Sequence, residues 1–188
     1  MTISAIPLTH ETIQRAKTII PELYHANSWI AGSAAARYPQ NEDVDVWICN
    51  VPYDIPLPGI IPVELAPPHN EEYFTYKAYD QNGLQIMSTY DSIADLLGSF
   101  DISCHAVGRN ILSGEEVIGT GYSPDLKVVH FQNPITTTTR YLKFAKRYND
   151  YTHVHSPKVQ ECAAKAFNLF TVGNIKQRNK YLLLEPGL

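Results

Sequence analysis

Two short apolar runs near the N-terminus constrain the fold most strongly, because each borders residues that strands rarely contain. Residues 28–31 form the first run, which ends at Gly32 and Ser33, and residues 44–49 form the second, which follows Asp43 and contains Asp45. Both runs have the length of buried strands. Asp is a poor strand residue, and a buried carboxylate is costly without a positive partner. The sequence therefore predicts a cation beside these two aspartates.

The spacing of the acidic residues indicates which cation. Asp43 and Asp45 stand at positions i and i+2, which share one face of a strand, and their hard oxygens suit Mg²⁺ or Mn²⁺ together with substrate phosphates. Gly32 lets the backbone approach a ligand, and the amides and hydroxyl at Ser33 can bind phosphate oxygens. Asp101, on a predicted strand over residues 100–108, could complete a cluster of three carboxylates. Taken one by one, these aspartates are equally compatible with solvated turns.

Composition and charge limit the class of protein. A chain of 188 residues, 44% hydrophobic and 18% charged, suits one globular domain. No apolar run is long enough to span a membrane, and residues 1–17 do not have the pattern of a secretory signal. We therefore expect a cytoplasmic protein, in the host cytoplasm if it is viral. Three widely separated cysteines fit reduced core residues better than disulfide or zinc ligands: Cys49, Cys104 and Cys162.

The charge is distributed unevenly along the chain. Residues 1–139 contain 6 Lys or Arg and 16 Asp or Glu, whereas residues 140–180 contain 9 Lys or Arg and 2 Asp or Glu. An acidic body with a basic C-terminal segment indicates a cation site in one part and an anionic ligand bound by the other.

The order of predicted elements indicates an α/β fold, a mixed sheet with flanking helices in a single domain. Helices are predicted over 9–23, 92–98, 136–150 and 156–170, with a proline-rich loop from 52 to 68 and a hairpin turning at Asn82-Gly83. The first helix has an apolar stripe of Ile13, Ala16, Ile19, Ile20 and Leu23. A further strand is predicted over 125–131. His153 and His155 could share a strand face and bind a metal, but a polar loop before Pro157 is the favoured interpretation.

The ordered triple of motifs resembles the polymerase-beta-type nucleotidyltransferase superfamily, in particular its small viral or phage members. The pattern is an apolar strand ending in Gly-Ser, nine residues, Asp-x-Asp, and a distant Asp between apolar residues. The resemblance implies that Asp43, Asp45 and Asp101 are catalytic and hold the metal. It also implies nucleotide binding by one set of residues: Gly32, Ser33, Arg37, Arg140 and Lys143.

The helix predicted over 136–150 has two unlike sides. Arg140, Lys143, Lys146 and Arg147 fall on one side of a helical wheel, and Tyr141, Leu142, Ala145 and Tyr148 on the other. Such a helix can be an ordinary amphipathic surface helix, or its basic side can be a phosphate-binding rim facing the carboxylates.

These features predict a metal-dependent transfer of a nucleoside monophosphate from a nucleoside triphosphate, such as ATP, to an acceptor hydroxyl on RNA, protein or a small molecule. The alternatives are a catalytically silent member that binds nucleotide or acts as an antitoxin-like interaction protein, and an RNA-binding protein working through residues 140–180. We expect the nucleotidyltransferase-like core to cover residues 1–150, with a loop-and-hairpin insertion at 51–98. Residues 151–188 are expected to be a basic helical extension, and no membrane partner is expected.

Overall fold

The computed structural model describes residues 10–36, 44–52, 55–57, 62–63, 76–81, 84–123, 125–131, 138–157 and 159–160. By its internal contacts the chain divides into two compact units. The first consists of Met1–Ser99 and His105–Tyr122, and the second of Phe100–Cys104 and Ser123–Leu188.

A mixed sheet forms the frame of the first unit. Among the described residues its strands are β1 (Ser28–Ala31), β2 (Val44–Ile48), β3 (Pro62–Val63), β4 (Tyr76–Gln81), β5 (Leu84–Thr89), β6 (Val107–Asn110) and β7 (Glu116–Ile118). Their order across the sheet is β3-β4-β5-β2-β1-β6-β7. All neighbours are antiparallel except β2 and β5, which run parallel. The predicted α/β class with a mixed sheet and flanking helices is therefore confirmed.

Helices cover both faces of this sheet. The helix α1 (His10–Ile19) contributes Ala16 to a buried cluster that includes Ile30, Val46 and Ile86 from the sheet. The helix α2 (Ile93–Gly98) lies on the opposite face, where a Cβ added at Gly108 would come within 2.9 Å of the Ile93 side chain. Because both faces are covered, the central strands are buried on both sides: all four residues of β1 are buried, and so are the last three residues of β2.

The end of α1 differs from the prediction. The helix stops at Ile19 rather than at residue 23, and Leu23 is 73% exposed instead of completing the apolar stripe. Pro21 explains the early end, because a proline disfavours helical geometry at the residue before it. The buried His25 then donates a hydrogen bond from Nε2 to the carbonyl of Ile20 (2.8 Å), which satisfies a carbonyl at the helix end. Thr9, the first residue of the predicted helix, lies outside the described residues.

The predicted hairpin is confirmed, and it has a central place in the sheet. Gln81 at the end of β4 pairs with Leu84 at the start of β5, so two residues of the chain connect these strands. β5 also pairs with β2 along its length, from Val44 opposite Leu84 to Ile48 opposite Ser88. The second half of the hairpin is thus the direct neighbour of the strand that carries Asp45.

The second unit contains a two-stranded parallel sheet and a helix. The strands β8 (Val128–Phe131) and β9 (Thr152–His155) flank the helix α3 (Thr138–Arg147) in the chain. The predicted loop at His153 and His155 is therefore wrong, since both lie on β9. Aromatic rings pack against this side of β9, where both histidines are half-buried: the Phe131 ring centroid lies 5.1 Å from that of Tyr141 and 5.3 Å from that of each histidine.

The apolar side of α3 is broader than predicted. Tyr141, Ala145 and Tyr148 are buried as expected, but Phe144 is buried as well and Leu142 only half-buried. Burial raises the pKa of both tyrosines, which marks them as neutral core groups. In the described part of the chain no helix combines the length and the apolar character required to cross a bilayer.

The strand predicted over residues 100–108 is wrong in its first half. Asp101 lies in a bend, Ile102 forms an isolated bridge with Phe131, and Ser103–His105 is a short 3-10 helix before β6 begins at Val107. The Ser103 hydroxyl accepts a hydrogen bond from the backbone N–H of His130 at 2.9 Å. A side-chain contact of this kind replaces the regular strand ladder here.

Candidate functional site

The end of β1 and the start of β2 meet at the predicted phosphate turn. Ala31, the last residue of β1, pairs with Asp45 of β2. The next residue, Gly32, has φ of 78°, a left-handed conformation that glycine adopts without strain. Gly32–Ala34 then forms a single 3-10 turn, in which the Gly32 carbonyl accepts hydrogen bonds from the N–H groups of Ala35 (3.2 Å) and Ala36 (2.9 Å). Asp45 and the Gly32-Ser33 turn are therefore neighbours at one edge of the sheet.

Asp45 lies on the sheet face opposite the main apolar cluster. Its neighbours on β2, Val44 and Val46, pack in or against that cluster, so alternation directs Asp45 to the other face. Asp45 is half-buried, whereas Trp47, two residues further on the same face, is buried. Asp45 therefore lies at the accessible end of this sheet face, which is buried from Trp47 onward.

Gln85 is the residue that sequence reasoning missed at this edge. It occupies the register position beside Asp45 on the parallel strand β5 and is also half-buried. The local sequence predicts a strand here, but it carries no signal for which residue of β5 faces Asp45, because register depends on pairing between distant segments.

The chemistry of this edge fits a hard divalent cation. Asp45 supplies a carboxylate, Gln85 an amide oxygen and Ser33 a hydroxyl, and these oxygen types are the ones that Mg²⁺ and Mn²⁺ accept beside substrate phosphates. Within the described ranges no group of three His, Cys, Asp or Glu residues is placed to hold a metal. Asp43, the second predicted ligand, lies outside them, as does Arg37.

Asp101 belongs to the second unit, whereas Asp45, Gly32 and Ser33 belong to the first. Asp101 is only 3% exposed, despite standing in a bend rather than a strand. The convergence of Asp43, Asp45 and Asp101 on one cation stays a prediction.

The basic side of α3 presents cations to the surface. Lys143 and Lys146 are exposed and Arg147 is half-buried. The Lys143 ammonium and the Arg147 guanidinium each lie 6.0 Å from the Phe144 ring centroid, at the outer limit of a cation–π contact. Arg140 lies on the same helix, at a position for which only the backbone is described. The predicted basic surface therefore exists at the described positions, and its role as a phosphate-binding rim stays a prediction.

The cysteines behave as predicted where they are described. Cys49 and Cys104 are free and buried, and burial raises the pKa of each thiol to about 12. Neither is a reactive thiolate near neutral pH. Cys162 lies outside the described residues.

Comparison with known proteins identifies a fold and no closer relationship. No family model matches the sequence, and no curated protein matches it. The Thermotoga maritima CCA-adding enzyme complexed with tRNA matches with a TM-score of 0.51 and 12% identity, over 82% of this chain and 44% of the enzyme. A structure of a tRNA-processing enzyme complex matches with a TM-score of 0.48 and 17% identity, over 77% of this chain and 44% of that one.

This likeness concerns the fold alone, and the chain spans less than half the length of either solved structure. The α/β architecture of the chain is thus similar to the fold of the CCA-adding enzyme.

Proposed function

We propose that this protein transfers a nucleoside monophosphate from a nucleoside triphosphate to an acceptor hydroxyl, with the help of a divalent cation. The observation that carries the proposal is the pairing of Ala31 with Asp45. It brings the Gly32-Ser33 turn, which suits a triphosphate, beside a half-exposed carboxylate that suits the cation. The nucleotidyltransferase-type fold supports the same reaction.

Each residue at this edge has a task in such a transfer. The left-handed Gly32 brings the backbone close to the triphosphate, and the Ser33 hydroxyl donates a hydrogen bond to a phosphate oxygen. Asp45 would hold the cation, with Asp43 and Asp101 as the further carboxylates. When bound, Mg²⁺ or Mn²⁺ would stabilise the negative charge on the phosphates and favour the alkoxide form of the acceptor hydroxyl. The acceptor hydroxyl gives up its proton to a carboxylate base, for which Asp101 is the candidate; its oxygen then bonds to the α-phosphorus in line as the bond to the leaving pyrophosphate breaks.

RNA is the first acceptor to examine. The CCA-adding enzyme of similar fold was solved with tRNA. The exposed Lys143 and Lys146 on α3 supply positive charge to a chain whose first 139 residues are strongly acidic. Fixed cations of this kind bind a phosphate backbone without regard to its base sequence. We assign binding of the triphosphate or of the acceptor backbone to Arg37 and Arg140 in addition to Lys143.

The test is transfer of label from each α-labelled nucleoside triphosphate to total RNA, in Mg²⁺ or Mn²⁺. We expect labelled RNA with the wild type and none with Asp45→Asn. The matched control is Asp125→Asn, the same substitution at an exposed turn of the second unit. Equal labelling by Asp45→Asn and the wild type would contradict the assignment of the site.

The same preparation distinguishes the alternative of a catalytically silent protein that binds nucleotide. Nucleotide binding that depends on Asp45, with no transfer to RNA, protein or a small hydroxyl compound, would identify a binding protein of nucleotidyltransferase fold. We measure that binding by the rise in thermal unfolding temperature with nucleotide and Mn²⁺, since a ligand that binds the folded state stabilises it by mass action.

A further inference from the structure

We propose that His153 and His155 on β9 stabilise the packing of α3 against the β8–β9 sheet while their rings are neutral, and that protonation of both separates the helix from the sheet. These two residues, the histidine pair, lie within the second unit, and their action is independent of nucleotide transfer. The sequence leaves the pair open as a metal site or a polar loop, whereas the structure places both residues on one strand face.

The histidine pair lies on the inner face of the two-stranded sheet. His153 and His155 are half-buried, whereas the other two residues of β9 are exposed. Their register partners on β8 are Val129 and Phe131, which are at most 1% exposed. The Phe131 ring centroid lies 5.3 Å from that of each imidazole, and the ring is stacked on His155 at an interplanar angle of 24°. Both imidazoles are therefore in largely apolar surroundings.

Each histidine contacts a different end of α3. His153 donates a hydrogen bond from Nε2 to the carbonyl of Tyr148 (2.7 Å), directly after the last residue of the helix. His155 Nε2 lies 3.3 Å from the hydroxyl of Tyr141, in the first turn. Seven residues of a helix span about 10 Å, so the two Nε2 atoms are directed to separate places. This geometry favours attachment of the helix over the shared metal ion that the sequence allows.

Protonation opposes this packing. Burial and the nearby His153 lower the pKa of His155, so the folded unit favours the neutral ring. A neutral imidazole can accept a hydrogen bond from the Tyr141 hydroxyl at Nε2, whereas an imidazolium has a hydrogen on both nitrogens and can only donate. Burial raises the pKa of Tyr141, so the phenol keeps its proton. Two protonated rings would also place like charges with their centroids 6.1 Å apart.

The charges around the histidine pair add to this effect. The helix α3 carries the cations Lys143, Lys146 and Arg147, and β8 brings to the pair only the apolar side chains named above. Asp150, which lies between α3 and β9, forms its ion pair with Lys127 at 3.4 Å. Within the described part of the second unit no carboxylate forms an ion pair with either histidine. Protonation of the pair therefore adds positive charge next to a basic helix.

Separation of α3 would change the basic surface of the protein. Lys143 and Lys146 are exposed on a helix whose position the histidine pair stabilises. When the helix separates from the sheet, these ammonium groups lose their fixed spacing although the number of positive charges rises. An anion site that depends on this spacing would therefore be lost at acid pH.

The test is hydrogen–deuterium exchange of the full chain, measured by mass spectrometry of its peptides at pH about 7.5 and about 5, the range in which histidine titrates. After correction for the direct effect of pH on exchange, protection reports the local opening of each segment. We expect α3 and β9 to lose several-fold more protection at the lower pH than β1 and β2 do. The variants are His155→Gln and, as a matched control, His130→Gln, which makes the same substitution on the opposite face of the β8–β9 sheet.

The two variants should differ. His155→Gln should remove most of the excess loss of protection in α3 and β9, because glutamine does not titrate, and His130→Gln should retain it. Equal loss of protection in both units of the wild type would overturn the role of the histidine pair, as would an excess loss that persists in His155→Gln. Removal of the excess by His130→Gln to the same extent would assign the effect to overall charge and would likewise overturn it.

A second variant applies if His155→Gln does not fold. His153→Gln removes one of the two charges and leaves the contact of His155 with Tyr141 in place. We expect a smaller excess loss of protection in α3 and β9 than in the wild type. Because each protein is compared with itself at two pH values, a uniform loss of stability in the variant cancels. An excess loss equal to that of the wild type would overturn the proposal.

Discussion

Substitution of Gly32 by alanine, compared with one control variant, separates the cost of backbone strain from the loss of ligand binding. Its φ is 78°, in the left-handed region, and the residue is buried. An L-residue in this region costs about 1–2 kcal/mol. For a chain of this length such a loss corresponds to a fall in unfolding temperature of roughly 2–8 °C. Gly32→Ala should therefore fold, with its free energy of unfolding reduced by that amount.

Gly114 is the matched control, because it shares the strain and lies away from the site. Its φ is 74°, and a Cβ added there would meet nothing within 4 Å. Gly114→Ala should thus lose about 1–2 kcal/mol from backbone strain alone. Gly32→Ala should lose a similar amount, since its φ of 78° imposes the same backbone strain.

The assay is urea denaturation of both variants, with and without Mn²⁺ and a nucleoside triphosphate. At a ligand concentration 100 times its dissociation constant, binding stabilises the folded state by about 2.7 kcal/mol. We expect that increment in the wild type and in Gly114→Ala, and its loss in Gly32→Ala. Retention of the full increment in Gly32→Ala would refute the placement of the triphosphate at this turn. A loss of stability below about 0.5 kcal/mol in Gly32→Ala would refute the strain argument.

Two further predictions concern the packing of each unit. A Cβ at Gly119 would lie 2.8 Å from the Cβ of Ala106, so Gly119→Ala should destabilise the fold by about 1–3 kcal/mol. Adding Ala106→Gly should recover part of the loss in a double-mutant cycle of urea denaturation, and additive losses would contradict the steric cause. Burial, reinforced by the nearby His153, lowers the pKa of His155 below its usual 6.5. The unfolded chain therefore binds the proton more readily than the folded protein does. The free energy of unfolding should fall as the pH drops through and below about 6.5, and it should fall less steeply in His155→Gln. Equal pH dependence of the wild type and His155→Gln would contradict this.

The sequence by itself determined the elements whose signals are local. The small residues after 28–31 place a sharp turn at the end of β1, and the structure has a left-handed Gly32 there. Two runs rich in strand-forming residues around Asn82-Gly83 predict the β4–β5 hairpin, because the turn residues and the strands they join are adjacent in the chain. The 3.6-residue spacing of aromatic and small residues predicts α3 and most of its buried side. In each case the residues that decide the conformation lie within a few positions of it.

In two places where the prediction is wrong, at Asp101 and at His153, the deciding contact is distant in the sequence. The strand predicted at Asp101 gives way to a bend and a 3-10 helix, whose first residue, Ser103, accepts a hydrogen bond from the backbone N–H of His130 on β8. The loop predicted at His153 and His155 is a strand because β8 pairs with it, although both segments are short and polar in part. The apolar periodicity of a strand or a helix carries no information about contacts between segments that are distant in the sequence.

The residues of the candidate site also divide into those that the sequence alone identifies and one that only the tertiary structure identifies. The motif residues Gly32, Ser33 and Asp45 could be chosen from their order and spacing, and their meeting at one edge follows from the pairing of β1 with β2. Gln85 could not be chosen, since its place beside Asp45 depends on the parallel register of two strands about 40 residues apart, and a slip of one residue would turn the side chain to the other face. The sequence determines which residues can do the chemistry, whereas the tertiary structure decides which of them are neighbours, because register is set by the burial of whole strands and not by any one residue.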